Sequence, residues 1–322
     1  MTMSDYKVYV SQDVEQIESN SRNDQACAVA IGFFDGVHRG HKAVIRRLID
    51  VARDYSLPPA VVCLIPPGHF YKRLCTLEDC FNMILDLGVE IILPMPWSGS
   101  SPFGFSVSTP VSTKETTVSQ SDSCDQDAID DIHALLEQIG AQVFVTGNSG
   151  KQTPEGLKTV TVETVTHDGL PVTTDRILKA LQSGKMEDVQ ALLGRTHYYY
   201  GRVIPGARRG RTVDMPTANI TVAPRLQLPA FGVYATKIKV RNRWYESLTN
   251  IGNRPTVDTS EKVTIETHIL DFNDAIYGEE VKLEIYSYIR PTFKFDSIVD
   301  VRDQVKRDIV VADTKRSREQ SD

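Results

Sequence analysis

His38 and His41 stand three residues apart in GFFDGVHRGH, residues 32–41, with Gly32, Gly36 and Gly40 spaced around them. Imidazole nitrogens can donate hydrogen bonds to phosphate oxygens and stabilise the charge that builds on a phosphorus centre during transfer. Glycines let the backbone approach such a group closely, although the same ten residues also suit a tight turn carrying two exposed histidines. A second set lies in GRVIPGARRGRTVDMPTANI, residues 201–220, where Gly206, Arg209, Gly210 and Arg211 precede Pro216, Thr217 and Asn219. Arginine and backbone N–H groups bind phosphate, and the Thr217 hydroxyl and Asn219 carbonyl are hard oxygen ligands of the kind Mg2+ takes. A charged hairpin followed by a proline turn would have the same composition.

These groups need elements to hold them. The apolar run Ala26–Ile31 precedes the first motif and the helical pattern KAVIRRLIDVA follows it. The histidines thus fall where a buried strand hands over to a helix, whose N-terminus presents free N–H groups and a partial positive charge. ACAVAIGF, KAVIRRLIDVARDY, AVVCLI, TLEDCFNMILDLG and VEIILPMP alternate strand and helix patterns, which predicts βαβ units and a doubly wound parallel sheet. Residues 98–127 are rich in Ser and Thr without apolar period, so a mobile surface loop is expected there. AIDDIHALLEQIG and AQVFVTG resume as helix and strand, and TVTVETVTHDGLPVTTDRILKALQSG adds a strand, a turn and a helix. Past MEDVQALLGR the chain turns to short strands with turn punctuation, which favours an antiparallel barrel or sandwich; an Asp N-cap signal and helical spacing in DSIVDVRDQVKRDIVVADT predict a closing helix. The expected boundary lies near Lys185, giving domains 1–185 and 186–322.

Composition narrows the function. With 36 Lys+Arg against 42 Asp+Glu and a formal charge of -6, the chain is too acidic for a general binder of nucleic acid or anionic membrane, so small-molecule partners are expected. Five cysteines form no CxxC pair, which argues against a disulfide framework and a zinc site. The opening MTMSDYKVYVSQDVEQ has no leader pattern and no apolar run approaches the length of a membrane span, which points to the cytoplasm. The oligomeric state is open.

The HxGH after a first strand resembles the nucleotidyltransferase superfamily, and GFFDGVHRGH as a whole is similar to the opening of bacterial bifunctional riboflavin kinase/FAD synthetases. In that family the imidazoles hold ATP phosphates for adenylyl transfer to FMN, with Mg2+ and no covalent intermediate. The resemblance puts His38 and His41 on the phosphates and gives Phe34, Asp35, Gly36 and Gly40 the shaping of the turn. TTDRI, residues 173–177, resembles the family's Ser/Thr-rich, Arg-containing motif, where Arg176 and the hydroxyls of Thr173 and Thr174 would reach the triphosphate; taken bare, it fits a capped helix with a surface arginine. Residues 201–220, FGVY at 231–234, NIGNRPT at 250–256 and ETHILDF at 266–272 match the riboflavin kinase module in order and spacing.

That match implies Thr217 and Asn219 at the Mg–ATP site and Glu266 as general base on the ribityl 5′-hydroxyl of riboflavin. A strand carboxylate near a metal-bound γ-phosphate can take the alcohol's proton as attack proceeds. The resemblance also implies Asn250 and Arg254 in the turn beside the site, with Arg290 and Phe295 flanking the flavin. His268, two residues beyond Glu266 and on its face of the strand, reads as structural or as a support behind the reacting groups, since phosphoryl transfer needs only one base. The implied fold is a Rossmann-like doubly wound α/β domain followed by an antiparallel β-barrel with a C-terminal helix. ATP would be co-substrate, and riboflavin, FMN and FAD the substrates and products. Two departures stand out: CLIPPGHF replaces the family's Phe-x-Pro-His-Pro, and VTGNSGKQ replaces Gly-x-Asp-Phe-x-Phe-Gly. They keep two alternatives open: a kinase whose first domain is degenerate or has another acceptor, and a non-catalytic flavin-binding protein.

Overall fold

The computed structural model describes residues 7–8, 26–66, 72–97, 123–147, 154–206, 216–254, 262–293, 295 and 297–319. The chain divides into two compact units, Met1–Arg176 and Ile177–Asp322, so the expected boundary near Lys185 falls inside the second.

The first unit is built on a six-stranded, wholly parallel sheet: β1 (Lys7–Val8), β2 (Cys27–Gly32), β3 (Pro59–Ile65), β4 (Ile91–Pro96), β5 (Ala141–Gly147) and β6 (Lys158–Val162), in the order β1-β4-β3-β2-β5-β6. Around it run α1 (Arg39–Tyr55), α2 (Leu77–Asp86) and α3 (Ser123–Gln138). Alternate residues of β2 enter two separate cores. Ala28 and Ala30 pack with Ile45, Leu48 and Ile84, whereas Cys27, Val29 and Ile31 pack with Ile132 and Phe144. Burial of both faces is why the strand reads as one apolar run. From β2 the chain steps outward to β3 and β4, then returns to lay β5 on the other side of β2. The carboxyl end of β2 is therefore at the topological switch point, where open α/β sheets bind ligands. The Ser/Thr-rich stretch expected to be loop differs at its end: α3 begins at Ser123, so residues 123–127 are helical, and 98–122 lie outside the described residues. The turn after β6 is a small hairpin, β7 (Thr166–His167) with β8 (Leu170–Pro171).

In the second unit, α4 (Thr174–Gln182, its first turn before the division) and α5 (Met186–Leu193) lead into six antiparallel strands. These are β9 (His197–Ile204), β10 (Thr217–Val222), β11 (Gly232–Val240), β12 (Arg243–Arg254), β13 (Lys262–Ile269) and β14 (Glu280–Arg290), closed as β10-β13-β12-β11-β14-β9. Of the two architectures left open by the strand spacing, the barrel is the one formed. α6 (Ile298–Glu319) lies on its outer face, packing Val305, Ile309 and Ala312 against Ala235 and Leu248. Its start is capped by Ser297, whose Oγ accepts the Asp300 N–H at 3.2 Å; Asp296, the expected cap, lies outside the described residues. No helix among the described residues is long and apolar enough to cross a membrane.

The barrel interior carries an acid-sensitive residue. His197 is buried, packs edge-on to Tyr199 at 4.7 Å, and has no hydrogen-bond partner on either ring nitrogen. Burial, then the charge of Arg195, pulls it down to about 3. A depressed imidazole contributes stability that is fully present above the unfolded value near 6.5 and is lost as pH falls toward the folded value. His197→Phe, which keeps the edge contact, should lose about 2 kcal/mol less than the parent protein in urea unfolding between pH 6.5 and 5.

Candidate active sites

The carboxyl end of β2 reaches α1 through a short turn, Asp35–Val37, in which Phe34 (φ 45°), Gly36 (φ 72°) and Val37 (φ 40°) all take left-handed backbone. Two non-glycine residues held there store strain that the surroundings must offset. Ties from β3, α2 and the segment between them do so. Asp35 is fully buried and accepts the Leu74 N–H at 3.0 and 3.2 Å, with Arg73 at 3.6 Å. The Cys63 and Cys80 thiols reach the carbonyls of Phe33 and Phe34, and Cys75 reaches Asp35. Burial raises the Asp35 carboxyl above its usual range, against the pull of Arg73 and the amides; burial also opposes the charge of Arg73, which Asp35 more than offsets. Asp35 thus shapes the turn from beneath.

His38 caps α1. Its Nδ1 accepts the His41 N–H at 3.2 Å, so a neutral His38 carries its proton on Nε2. The two rings stack with centroids 3.6 Å apart, and His41 also leans on Phe34 at 5.2 Å. Burial, then Lys42, pulls His38 down to about 4; burial, then His38, holds His41 well below the imidazole range. Both rings are neutral at pH 7 and can serve as N–H donors to an anion. Nδ1 of His41 is buried without a hydrogen-bond partner.

A side chain at Gly40 would meet the His38 ring at 3.0 Å and the Val172 carbonyl at 3.4 Å. This glycine therefore lets the segment ahead of α4 close on the start of α1, beside which Thr173, Thr174 and Arg176 begin the next helix. Gly32 similarly makes room for the Phe34 ring. Thr173 Oγ1 accepts the Arg176 N–H at 3.2 Å, as an ordinary cap. Nη1 of Arg176 donates to the carbonyls of His167, Leu170 and Pro171 at 2.9, 3.0 and 3.2 Å. The arginine expected on a triphosphate is thus also the clasp of the β7–β8 hairpin.

In the barrel, strand register assembles the second site. Glu266 on β13 stands opposite Asn219 of β10 on one side and Asn250 of β12 on the other. All three are half-buried, Glu266 and Asn250 lie between buried neighbours, and the register puts Asn219 on the same outer face. On the inner face a chain of fully buried hydroxyls runs Thr267–Thr249–Thr236–Ser247 at 2.9, 2.8 and 2.8 Å and pins this register. A one-residue slip would turn Glu266 inward. Pro216, Thr217 and Asn219 line a cleft of about 420 Å³ with Gly206, Phe272 and Tyr277. A Cβ at Gly206 would collide with the Asn219 side-chain amide, so a larger residue there would displace Asn219. Among the described residues no three His, Cys, Asp or Glu side chains gather as a metal group. The Thr217 hydroxyl and the Asn219 side-chain carbonyl are neutral hard oxygens of the kind Mg2+ takes. Arg209, Gly210 and Arg211 lie outside the described residues, and Arg254 ends β12 opposite Lys262.

Arg290, which the resemblance puts beside the flavin, is held by the closing helix. Its Nε and Nη2 grip Asp308 of α6 at 2.8–3.0 Å, Gln304 adds a bond to the same carboxylate at 2.8 Å, and Phe293 and Phe295 lie 5.1 and 5.8 Å from the guanidinium. Asp308 is 2% exposed. Nη1 of Arg290 also donates to the Pro291 carbonyl at 2.9 Å, and Thr292 donates to Asn250 Oδ1 at 3.0 Å, in register with Glu266. Sequence reasoning missed Asp308 and Thr292; the Gln304–Asp308 spacing of one helical turn was the available signal. Removing one partner of a buried pair leaves the other charge stranded, so Asp308→Ala should cost about 3–5 kcal/mol in urea unfolding, while Arg290→Met with Asp308→Leu should recover most of it.

Two protein families match this chain, each over its own stretch. Residues 193–315 match the riboflavin kinase family and residues 20–100 the FAD synthetase family. A bifunctional riboflavin kinase/FMN adenylyltransferase of Bacillus subtilis is 32% identical over 306 residues, covering 89% of this chain and 92% of its own. One from Listeria monocytogenes is 30% identical over 304 residues, covering 87% and 89%. In fold, a crystal structure described as a macrolide-efflux protein from Streptococcus pneumoniae is similar with a TM-score of 0.76 at 24% identity, covering 95% of this chain and 98% of that one.

Proposed function

Because this chain belongs to the bifunctional riboflavin kinase/FMN adenylyltransferase family, we propose that its two reactions are divided between its two units, each with its own phosphate-handling site. The protein is an enzyme of FAD biosynthesis: it phosphorylates riboflavin to FMN with ATP and transfers an adenylyl group from ATP to FMN, releasing pyrophosphate. We assign the kinase to the second unit, from about residue 186, and the adenylyl transfer to the first. The observation that carries the kinase assignment is the alignment of Asn219, Glu266 and Asn250 across three neighbouring strands beside Thr217.

In the kinase, the carboxylate of Glu266 takes the proton of the ribityl 5′-hydroxyl as that oxygen attacks the γ-phosphorus and ADP leaves. Asn250, held by Thr292, flanks the base and fixes the side from which the alcohol enters. Thr217 and Asn219 would hold Mg2+, which would supply positive charge against the nucleotide phosphates. In the first unit, a phosphate oxygen of FMN attacks the α-phosphorus of ATP and pyrophosphate departs without a bond to the protein. Neutral His38 and His41 donate N–H groups to the phosphate oxygens from the positive end of α1, and Arg176 adds charge from the start of α4. ATP as co-substrate and the free, buried state of Cys27, Cys63, Cys75 and Cys80 among the described residues support a cytoplasmic setting.

Purified protein given riboflavin with Mg–ATP should yield FMN and then FAD on chromatography, and given FMN it should yield FAD with equimolar pyrophosphate. FMN accumulating under excess ATP with no FAD would remove adenylyl transfer from the first unit.

A further inference from the structure

His268 points to a role that the reaction itself does not require. Its Nδ1 lies 3.0 Å from the carbonyl oxygen of Pro216, and because a carbonyl only accepts, Nδ1 must carry the proton. Pro216 immediately precedes β10, the strand of Thr217 and Asn219. β10 pairs with β13 from Thr217, but its pairing with β9 begins only at Asn219. Thr217 and Ala218 are therefore held by one neighbouring strand alone. Pro216 has no N–H with which to extend that ladder. The imidazole supplies the missing tie, from the same face of β13 that carries Glu266 two residues earlier.

We propose that His268 is a positioning residue for the nucleotide site: by holding the Pro216 carbonyl it keeps the start of β10 in place, so that Thr217 and Asn219 are presented together. This rests on the assignment of Thr217 and Asn219 to Mg–ATP. One strand then sets both halves of the kinase centre, the base through Glu266 and the metal–nucleotide side through His268. Without the tie, the start of β10 frays, and binding must first order it, which weakens apparent affinity in proportion to the frayed fraction.

The test compares His268→Ala with His268→Asn, whose amide N–H can donate from nearly the same place. In the ligand-free protein, hydrogen exchange at Thr217 and Ala218 should speed up in the Ala variant and return toward normal in the Asn variant. The KM for Mg–ATP should rise roughly five- to tenfold in His268→Ala, the effect of one lost hydrogen bond, with kcat and the KM for riboflavin within twofold and rescue by Asn. Unchanged exchange, a fall in kcat at constant KM, or no difference between Ala and Asn would overturn the proposal. Equilibrium dialysis of Mg–ADP against Thr217→Ala reads the underlying assignment separately: unchanged affinity there sinks the site, whereas weakened affinity there with an unaffected His268→Ala sinks only the role of His268.

Discussion

Glu266→Gln should lower riboflavin phosphorylation by about 10²–10⁴-fold while leaving FAD formation from added FMN at the parent rate. The substitution keeps volume and hydrogen-bonding reach but removes the basic oxygen that takes the alcohol's proton. Fold is not at stake, because Glu266 lies on the outer face and the register beneath it is held by the Thr249–Thr267 hydroxyl bond at 2.9 Å. The loss should fall on kcat, with the KM for Mg–ATP little changed, since Thr217 and Asn219 stay in place. A comparable loss in KM alone would mean that Glu266 binds rather than reacts.

The converse result is expected in the first unit. His41→Ala should reduce FAD formation from FMN by about 10²–10³-fold, the usual consequence of deleting one preorganised donor to developing charge, with riboflavin phosphorylation unaffected. His38 has two jobs, so its replacement must separate them. Alanine would remove the cap of α1 as well as the Nε2–H donor. Asparagine is a good cap, and His38→Asn should retain the stability of the unit in thermal unfolding yet lose adenylyl transfer to a similar degree. If His38→Asn retains full FAD synthesis, His38 is a cap and nothing more.

Much of the first unit is readable from residues because burial on both faces of β2 forces an unbroken apolar run, while α1 and α2 bury one face only and keep helical spacing. The barrel is less readable. A period of two suits sandwich and barrel alike, and closure depends on β9 pairing with both β10 and β14, which no local pattern announces. Thr217 and Asn219 could be singled out by type and Glu266 through the family resemblance, but their alignment with Asn250 is a matter of register between strands distant in sequence. The Arg290–Asp308 pair is hidden for the same reason: Asp308 lies on α6, brought alongside by packing. The protonation state of the two histidines depends on burial and stacking, which spacing alone cannot supply. Of the two departures, residues 67–70 and 148–153 lie outside the described residues.

The most direct test of two independent sites is a crossed-substrate chromatogram in which the Glu266→Gln and His41→Ala proteins each receive riboflavin or FMN with Mg–ATP. Glu266→Gln should make FAD from FMN but almost no FMN from riboflavin, and His41→Ala should make FMN from riboflavin but almost no FAD from either. Loss of both reactions in either folded variant would contradict the division of the chemistry between the two units.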